Sequence, residues 1–240
     1  MNKPRHILIK GWDQHKISHA TVLIGGCGAI GSQTAVALAR IGVGTIIAVD
    51  NDSLEKHNIY NQIYRKNQVW KNKVDALKEI IEEISSCESI GIKSKIQNVK
   101  IEGLKPDILL GCFDNAGARF FMNYISINLK IPYIDAGIES YSGTIRTIIP
   151  QKSSCLQCWP SLLKVNEVKA GCSHDPIPST FFTASYASDI QVMQLVNLLF
   201  GRQIHPMIFF DLEKGITQPV RLERNEECGL CSTESLSRPA

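Results

Sequence analysis

The feature that most constrains the fold of this chain is a glycine-rich turn between an apolar run and a helix-forming segment. Residues 21–24, Thr-Val-Leu-Ile, favour a strand, the motif G-x-G-x-x-G occupies residues 26–31, and residues 32–40 have helical composition. In this context the glycines let an anion approach the backbone, and the amides at the helix N-terminus face that anion. The sequence therefore predicts a strand, a phosphate-binding turn and a helix. The three glycines of the motif are Gly26, Gly28 and Gly31.

Strand and helix signals alternate along the rest of the chain. Continuous apolar runs predict strands covered on both faces, and apolar residues three and four apart in residues 73–84 predict an amphipathic helix. Further strands are predicted over residues 45–49, 90–96, 108–110, 133–135, 143–149 and 207–210, and further helices over residues 116–128 and 188–200. This alternation predicts a doubly wound, Rossmann-like α/β fold, with a mostly parallel sheet, helices on both faces and a ligand at the carboxyl ends of the strands.

Size and composition exclude several classes of protein. The chain has 240 residues, and lengths up to about 250 residues are often one domain, so we expect a single domain over residues 1–240. A formal net charge of +3 without a basic run gives no indication of nucleic acid binding, and no apolar stretch approaches the roughly 18 residues of a membrane span. We therefore expect a cytoplasmic protein in which the eight cysteines are reduced.

Acidic residues and a lysine occupy the positions that would surround a bound nucleotide. Asp50 ends the second strand about twenty residues after the turn, where it would accept hydrogen bonds from ribose hydroxyls. Asp52 adds a second carboxylate that suits Mg²⁺, Lys73 begins a helix, and Asp114 follows the strand at residues 108–110. A nicotinamide or flavin dehydrogenase shares the glycine turn and Asp50, and a solvated lysine or a helix cap is the ordinary alternative for Lys73 and Asp114.

Four cysteines form two C-x-x-C pairs. Cys155 with Cys158, and Cys228 with Cys231, provide four thiolates for a tetrahedral Zn²⁺ site without an open position, which is typical of structural zinc. Unpaired buried cysteines and a redox dithiol are the alternatives. Zinc bound to both pairs would tie the C-terminal segment back onto the domain.

Together these features resemble the superfamily of E1, MoeB, ThiF and HesA proteins, which adenylate the C-terminal carboxylate of ubiquitin-like and sulfur-carrier proteins. The resemblance extends over nearly the whole chain and rests on the glycine turn, Asp50-Asn51-Asp52, Asn58, Lys73, Cys112-Phe113-Asp114-Asn115 and the two C-x-x-C pairs.

The resemblance implies roles for individual residues at an ATP site. ATP would lie over the glycine turn with Asp50 on its ribose, and Asn58 and Lys73 would contact its phosphates. Asp114 would hold Mg²⁺ near the reacting carboxylate of a carrier protein ending in Gly-Gly. The resemblance also implies a homodimer in which Arg5 reaches the partner's ATP.

The chain departs from the family at residue 61, where the family usually has arginine and this chain has Asn61. Arg65 lies one predicted helical turn further on, and an arginine fork suits bidentate phosphate contacts. We therefore predict that Arg65 replaces the missing arginine. If Arg65→Ala leaves ATP–pyrophosphate exchange unaltered, this prediction is wrong.

Cys172 is the predicted nucleophile for a second step. It lies in a crossover loop expected over about residues 159–187, where Lys169 and His174 would stabilise a thiolate. It resembles the loop cysteine of thioester-forming family members, which pass the carrier to a conjugating enzyme. MoeB-like members lack that step, and a sulfur donor then converts the adenylate to a thiocarboxylate. The sequence leaves both outcomes and the identity of the carrier open.

Three other readings compete with carrier activation. The first is a Rossmann oxidoreductase that uses NAD. The second is a non-catalytic half of an E1 heterodimer. Asn61 favours this reading, whereas the intact Asp50, Lys73 and Asp114 oppose it. The third is a family member that adenylates a peptide or dehydrates a modified tRNA base.

Overall fold

The structure, a computed structural model, describes residues 4–162 and 178–232. The strands are β1 (Thr21–Gly25), β2 (Thr45–Asp50), β3 (Glu88–Lys93), β4 (Ile108–Gly111), β5 (Tyr133–Glu139), β6 (Ser142–Ile148), β7 (Met207–Asp211) and β8 (Ile216–Val220). The α-helices are α1 (Gln14–Ser18), α2 (Ala29–Ile41), α3 (Lys73–Ile84), α4 (Ile101–Leu104), α5 (Ala116–Leu129) and α6 (Phe181–Leu199). Short 3-10 helices connect several of them, and no described helix is long and apolar enough to cross a bilayer.

The eight strands of the described residues form one sheet in the order β3-β2-β1-β4-β5-β6-β7-β8. Strands β1 to β5 are parallel, and β6, β7 and β8 extend the sheet with antiparallel pairing. The strand order reverses at β1, which lies between β2 and β4, and a ligand crevice opens at such a reversal in doubly wound sheets. The predicted Rossmann-like fold is confirmed.

The sheet is buried on both faces, which explains why its strands are continuous apolar runs. On one face Val22 and Ile24 belong to the core formed with α2, α3 and α6. On the other face Leu23 belongs to the core formed with α4, α5 and the paired cysteines. Adjacent residues of β1 therefore face different helix layers.

Some predicted boundaries are wrong. Helix α6 begins at Phe181 rather than at residue 188, because the Thr180 side chain accepts a hydrogen bond from the Thr183 amide and caps the helix there. The predicted crossover loop of about 159–187 therefore ends before Phe181, and its residues 163–177, including Cys172, lie outside the described residues. Strand β3 ends at Lys93, since Ile96 begins a 3-10 helix.

Candidate functional site

The glycine turn follows β1 at the strand-order reversal. Each of its three positions requires glycine for a different physical reason. Gly26 has a φ of +87°, and its amide donates to the Val49 carbonyl over 2.9 Å. A Cβ on Gly31 would lie 1.8 Å from the Gly26 carbonyl oxygen, so only glycine permits α2 to pack this close to the turn. A Cβ on Gly28 would have no atom within 4 Å. Gly28 therefore presents an open backbone face, which a phosphate could approach.

Asp50, at the end of β2, holds the turn in place. Its carboxylate accepts from the Cys27 amide over 2.6 Å and from the Asp52 amide over 2.8 Å. Burial raises the pKa of Asp50 above its ordinary value, against the opposing effect of Lys73. The residue is half-buried and stays a predicted ribose ligand, with the added role of fixing the turn.

Lys73 begins α3 and lies beside the same acidic strand end. Its amide donates to the Asp52 carbonyl over 3.0 Å, and its ammonium lies 2.8 Å from the Asp52 carboxylate. The lysine side chain is only 10% exposed, whereas that of Asp52 is 57% exposed. Burial alone would lower the pKa of Lys73, but Asp50 and Asp52 outweigh it and keep this pKa above its ordinary value. The site therefore holds a fixed, charged ammonium.

Asn58 and Asn61 belong to a 3-10 helix, Lys56–Tyr60, and its C-terminal cap. The Asn58 side-chain oxygen accepts from the Glu55 amide over 2.8 Å, so this buried residue fixes the helix start. Asn61 donates to the Ser179 hydroxyl over 3.4 Å, and its buried side-chain oxygen has no hydrogen-bond partner in the described residues. Phosphate binding by Asn58 stays a prediction.

Arg65 is engaged elsewhere on the surface. Both of its terminal nitrogens contact the Glu83 carboxylate near the C-terminal end of α3, whereas Lys73 lies at the other end of that helix. Arg65 also precedes a separate 3-10 helix, Lys66–Gln68, so the predicted helical turn between residues 61 and 65 is wrong. Arg65 would have to leave Glu83 to meet a phosphate, and that role stays a prediction.

Asp114 lies on the opposite side of the turn, beyond the end of β4. Since Gly25 of β1 pairs with Gly111 of β4 and with Val49 of β2, the chain beyond β4 flanks the turn as Asp50 does. Asp114 is exposed, and its neighbour Asn115 caps α5 by accepting from the Ala118 amide over 2.9 Å. The exposed carboxylate of Asp114 accepts from the Asn115 side-chain amide over 3.4 Å and could also hold a cation, which stays a prediction.

Two groups of supporting residues are not among the predicted site residues. The buried Tyr64 hydroxyl donates to the Cys27 carbonyl over 2.7 Å and so fixes the backbone of the turn. Behind Gly111, Asp135 accepts from the Tyr133 hydroxyl over 2.8 Å and from Arg119 over 3.0 Å. Asp135 is a buried carboxylate within β5, so an acidic residue inside an apolar strand was the available signal.

The two C-x-x-C pairs lie together on the α5 face of the sheet. Their four sulfurs all lie within 4.8 Å of one another, with neighbouring separations of 3.7, 3.9 and 3.4 Å. A tetrahedral zinc ion with four bonds of about 2.3 Å separates its sulfurs by about 3.8 Å, so this cluster fits the metal. The Trp159 indole also donates to the Glu223 carbonyl over 2.8 Å, which joins the two ends of the site.

The other described cysteines have no feature of a nucleophile. Burial raises the pKa of Cys27 well above its ordinary value, raises that of Cys112 to about 12 and raises that of half-buried Cys87. Because a thiolate is the reactive form, these three are small apolar core or partly buried residues.

Arg5 lies in an exposed 3-10 helix, Arg5–Leu8. Two exposed apolar side chains, Leu8 at 76% and Ile9 at 54%, follow it. The N-terminal segment therefore presents a cation beside apolar surface, and its predicted contact with a partner subunit is untested.

Known proteins resemble this chain in sequence and fold. Ubiquitin-like modifier-activating enzyme 5 of Dictyostelium discoideum is 32% identical over 61% of this chain and 43% of its own length. Sulfur carrier protein ThiS adenylyltransferase of Bacillus subtilis is 25% identical over 92% of this chain and 67% of its own length. Crystal structures of E. coli MccB superpose with TM-scores of 0.80 and 0.79, the second with ATP, at 23% identity over 92% and 91% of this chain and 69% and 68% of theirs.

The match to a family model extends over almost the whole chain. The ThiF family model matches residues 5–230, which include the glycine turn, Lys73, Asp114 and three of the paired cysteines, Cys155, Cys158 and Cys228. Cys231 lies one residue beyond the match. The chain spans under half of the Dictyostelium relative, whereas the fold likeness to MccB covers most of this sequence. The chain therefore belongs to the ThiF family.

Proposed function

We propose that this protein is an E1-like adenylyltransferase, which uses ATP to adenylate the C-terminal glycine carboxylate of a ubiquitin-like or sulfur-carrier protein. The observation that carries the proposal is the buried ammonium of Lys73 beside a glycine turn whose Gly28 face is open. The names of the relatives, a modifier-activating enzyme and a ThiS adenylyltransferase, support it.

The chemistry needs charge neutralisation and alignment rather than a protein base. The carrier carboxylate is already ionised, and one of its oxygens attacks the α-phosphorus of ATP while the bond to pyrophosphate breaks. Lys73 would contact the phosphates, and Asp50 would orient the nucleoside through its ribose. Asp114 and Asp52 would hold Mg²⁺, which supplies the positive charge that phosphate groups require near three carboxylates.

Cys172 would decide what becomes of the adenylate. If its thiolate attacks the acyl carbon, AMP leaves and a thioester forms that can pass to a conjugating enzyme. Without that attack, a sulfur donor would release AMP and leave a thiocarboxylate on the carrier. A reactive thiol and four metal-binding thiols require reducing surroundings, which the cytoplasm supplies.

Intact mass spectrometry and ATP–pyrophosphate exchange test this function. With MgATP and a matching carrier that ends in Gly-Gly, we expect exchange of labelled pyrophosphate and a carrier adenylate. We also expect a carrier adduct on the enzyme, observed without reductant, that is lost in Cys172→Ala. Cys87→Ala is the matched control, because Cys87 is half-buried with a raised pKa and should leave the adduct unchanged.

Several controls separate this function from its alternatives. A carrier with an amidated C-terminus lacks the nucleophile and should give no exchange, and the carrier's isolated C-terminal peptide tests for a peptide substrate. Adenylate without a thiol adduct would retain activation and reject the role of Cys172. Stabilisation of the fold by NADH and not by MgATP, measured as a rise in melting temperature, would contradict the proposal outright.

We also propose a homodimer in which Arg5 completes the partner's site. Arg5→Ala and Lys73→Met should each abolish most exchange activity, yet a mixture of the two should recover part of it. Recovery follows because a mixed dimer holds one site with Lys73 from its own subunit and Arg5 from the other. The matched control mixes Lys73→Met with Asp114→Asn, which should recover nothing. If the first mixture also stays inactive although subunits exchange, Arg5 does not act across the dimer.

A further inference from the structure

Arg146 of β6 is a buried arginine with little to neutralise it. Its side chain is 1% exposed, and one terminal nitrogen donates to the Cys155 carbonyl over 3.1 Å. Its Nε and other terminal nitrogen have no hydrogen-bond partner among the described residues. Arginine is almost never fully buried unless it is paired, so this residue requires a counter-charge.

The carboxylate on the neighbouring strand is already used by another arginine. Asp135 lies opposite Arg146 in the pairing of β5 with β6, on the same face of the sheet. Arg119 donates to both oxygens of Asp135, over 3.0 and 3.2 Å, and the Tyr133 hydroxyl adds a bond over 2.8 Å. The described ion pairs include Arg119 with Asp135 and none of Arg146. Two guanidinium groups therefore share one buried carboxylate, which leaves one positive charge in excess.

The paired cysteines next to Arg146 supply charge of the opposite sign when a metal is bound. Zn²⁺ with four thiolates has a net charge of −2, and Cys155, whose carbonyl accepts from Arg146, is one of those ligands. The remaining N–H groups of Arg146 can donate hydrogen bonds, and thiolate sulfurs can accept them. The one excess positive charge of the arginine cluster therefore offsets one of the two net negative charges of the metal centre.

A second buried side chain helps to shape the same cysteine pair. The Asn123 side-chain oxygen, on α5, accepts from the Leu156 amide over 2.9 Å, and Asn123 is fully buried. The carbonyl and the amide of the Cys155–Leu156 peptide group are thus held by side chains from β6 and α5.

We propose that Arg146 is a positioning residue of the zinc centre, which orients Cys155 through its carbonyl and offsets part of the net negative charge of the metal-bound thiolates. Metal loading then stabilises the fold in two ways: it joins residues 155–158 to 228–231, and it neutralises a buried guanidinium. Loss of the metal leaves that guanidinium without a counter-charge.

The test compares Arg146→Met with the wild-type full-length chain, both stripped of metal and both reloaded with zinc. We expect Arg146→Met to bind zinc about 10–100-fold more weakly in competition with a chromophoric chelator. The metal-free variant should melt at the same or a higher temperature than metal-free wild type, since a buried uncompensated charge is gone. The rise in melting temperature on adding zinc should be smaller in the variant.

Arg119→Met is the matched control, because Arg119 is equally buried and its partner is Asp135. It should lower the melting temperature of both forms, and because Cys155 keeps its bond from Arg146, zinc affinity should fall less than in Arg146→Met. If Arg146→Met itself does not fold, Arg146→Lys retains the charge without the fork and should bind zinc with intermediate affinity. Unchanged zinc affinity with equal destabilisation of both forms would overturn the proposal, and so would a wild-type chain that takes up no zinc.

Discussion

Replacement of Lys73 by methionine is expected to slow carrier-dependent ATP–pyrophosphate exchange by about 100–1000-fold, the effect of removing one preorganised electrostatic donor from an active site. The ammonium is nearly buried, 2.8 Å from Asp52, and its position is fixed by the start of α3. Methionine retains the length of the side chain and removes its charge. Negative charge that develops on the phosphates would then meet Asp50 and Asp52 without a protein cation between them.

Lys71→Met provides the control for that measurement. Lys71 lies two residues before Lys73, but its ammonium is exposed and pairs with Glu79 over 2.6 Å. Surface pairs of this kind contribute about 0–1 kcal/mol, so exchange and melting temperature should both stay near wild type. Equal activity of the two variants would show that Lys73 does not contact the reacting phosphates. Melting curves of Lys73→Met are needed to separate loss of activity from loss of fold.

The parallel part of the fold was readable from the sequence because its signals are local. Each parallel strand in the centre of the sheet is an apolar run that is buried on both faces, and the spacing of apolar residues in α3 predicted Lys73 and Ile84 as its ends. Helix α6 was harder, because the buried side of its first turns consists of small and polar residues, Thr183, Ala184, Ala187 and Ser188. These residues hide the helical periodicity, so its first turns were predicted as loop.

Strand β8 shows why the antiparallel edge escaped prediction. Most of its five residues are exposed and it includes Pro219, which is tolerated at a sheet edge, where a strand needs fewer amide donors. Its position depends on pairing with β7 rather than on its own composition. An edge strand of this kind has no run of apolar residues, so its sequence does not predict a strand.

The candidate site also has a part that the sequence predicts and a part that it does not. Strand ends could be predicted to share one edge of the sheet, which placed the glycine turn, Asp50 and Asp114 together. Contacts between distant segments could not be predicted, because they depend on side-chain packing in the folded chain. The pairing of Arg65 with Glu83, the bond of Tyr64 to Cys27, and the excess charge at Arg146 are of this second kind.

The second large prediction concerns two glycines of the turn, each replaced by alanine. Gly28→Ala should weaken ATP binding without loss of stability, whereas Gly31→Ala should destabilise the fold. Gly28→Ala adds a methyl group where no atom lies within 4 Å, so the fold should tolerate it. The methyl group would occupy the face that a phosphate must approach, and we expect ATP to bind on the order of 10-fold or more weakly, about 1.4 kcal/mol or more. Calorimetric titration with MgATP measures this loss.

Gly31→Ala should instead damage the fold. Its methyl group would lie 1.8 Å from the Gly26 carbonyl oxygen, a backbone atom that cannot move without breaking the turn. Overpacking of this kind costs about 1–3 kcal/mol or more, so urea denaturation should show a lower free energy of unfolding. Gly28→Ala should retain the wild-type value in the same assay. If Gly28→Ala bound MgATP normally while remaining folded, the open face of the turn would not be the phosphate site, and nucleotide binding would have to be sought elsewhere in the crevice.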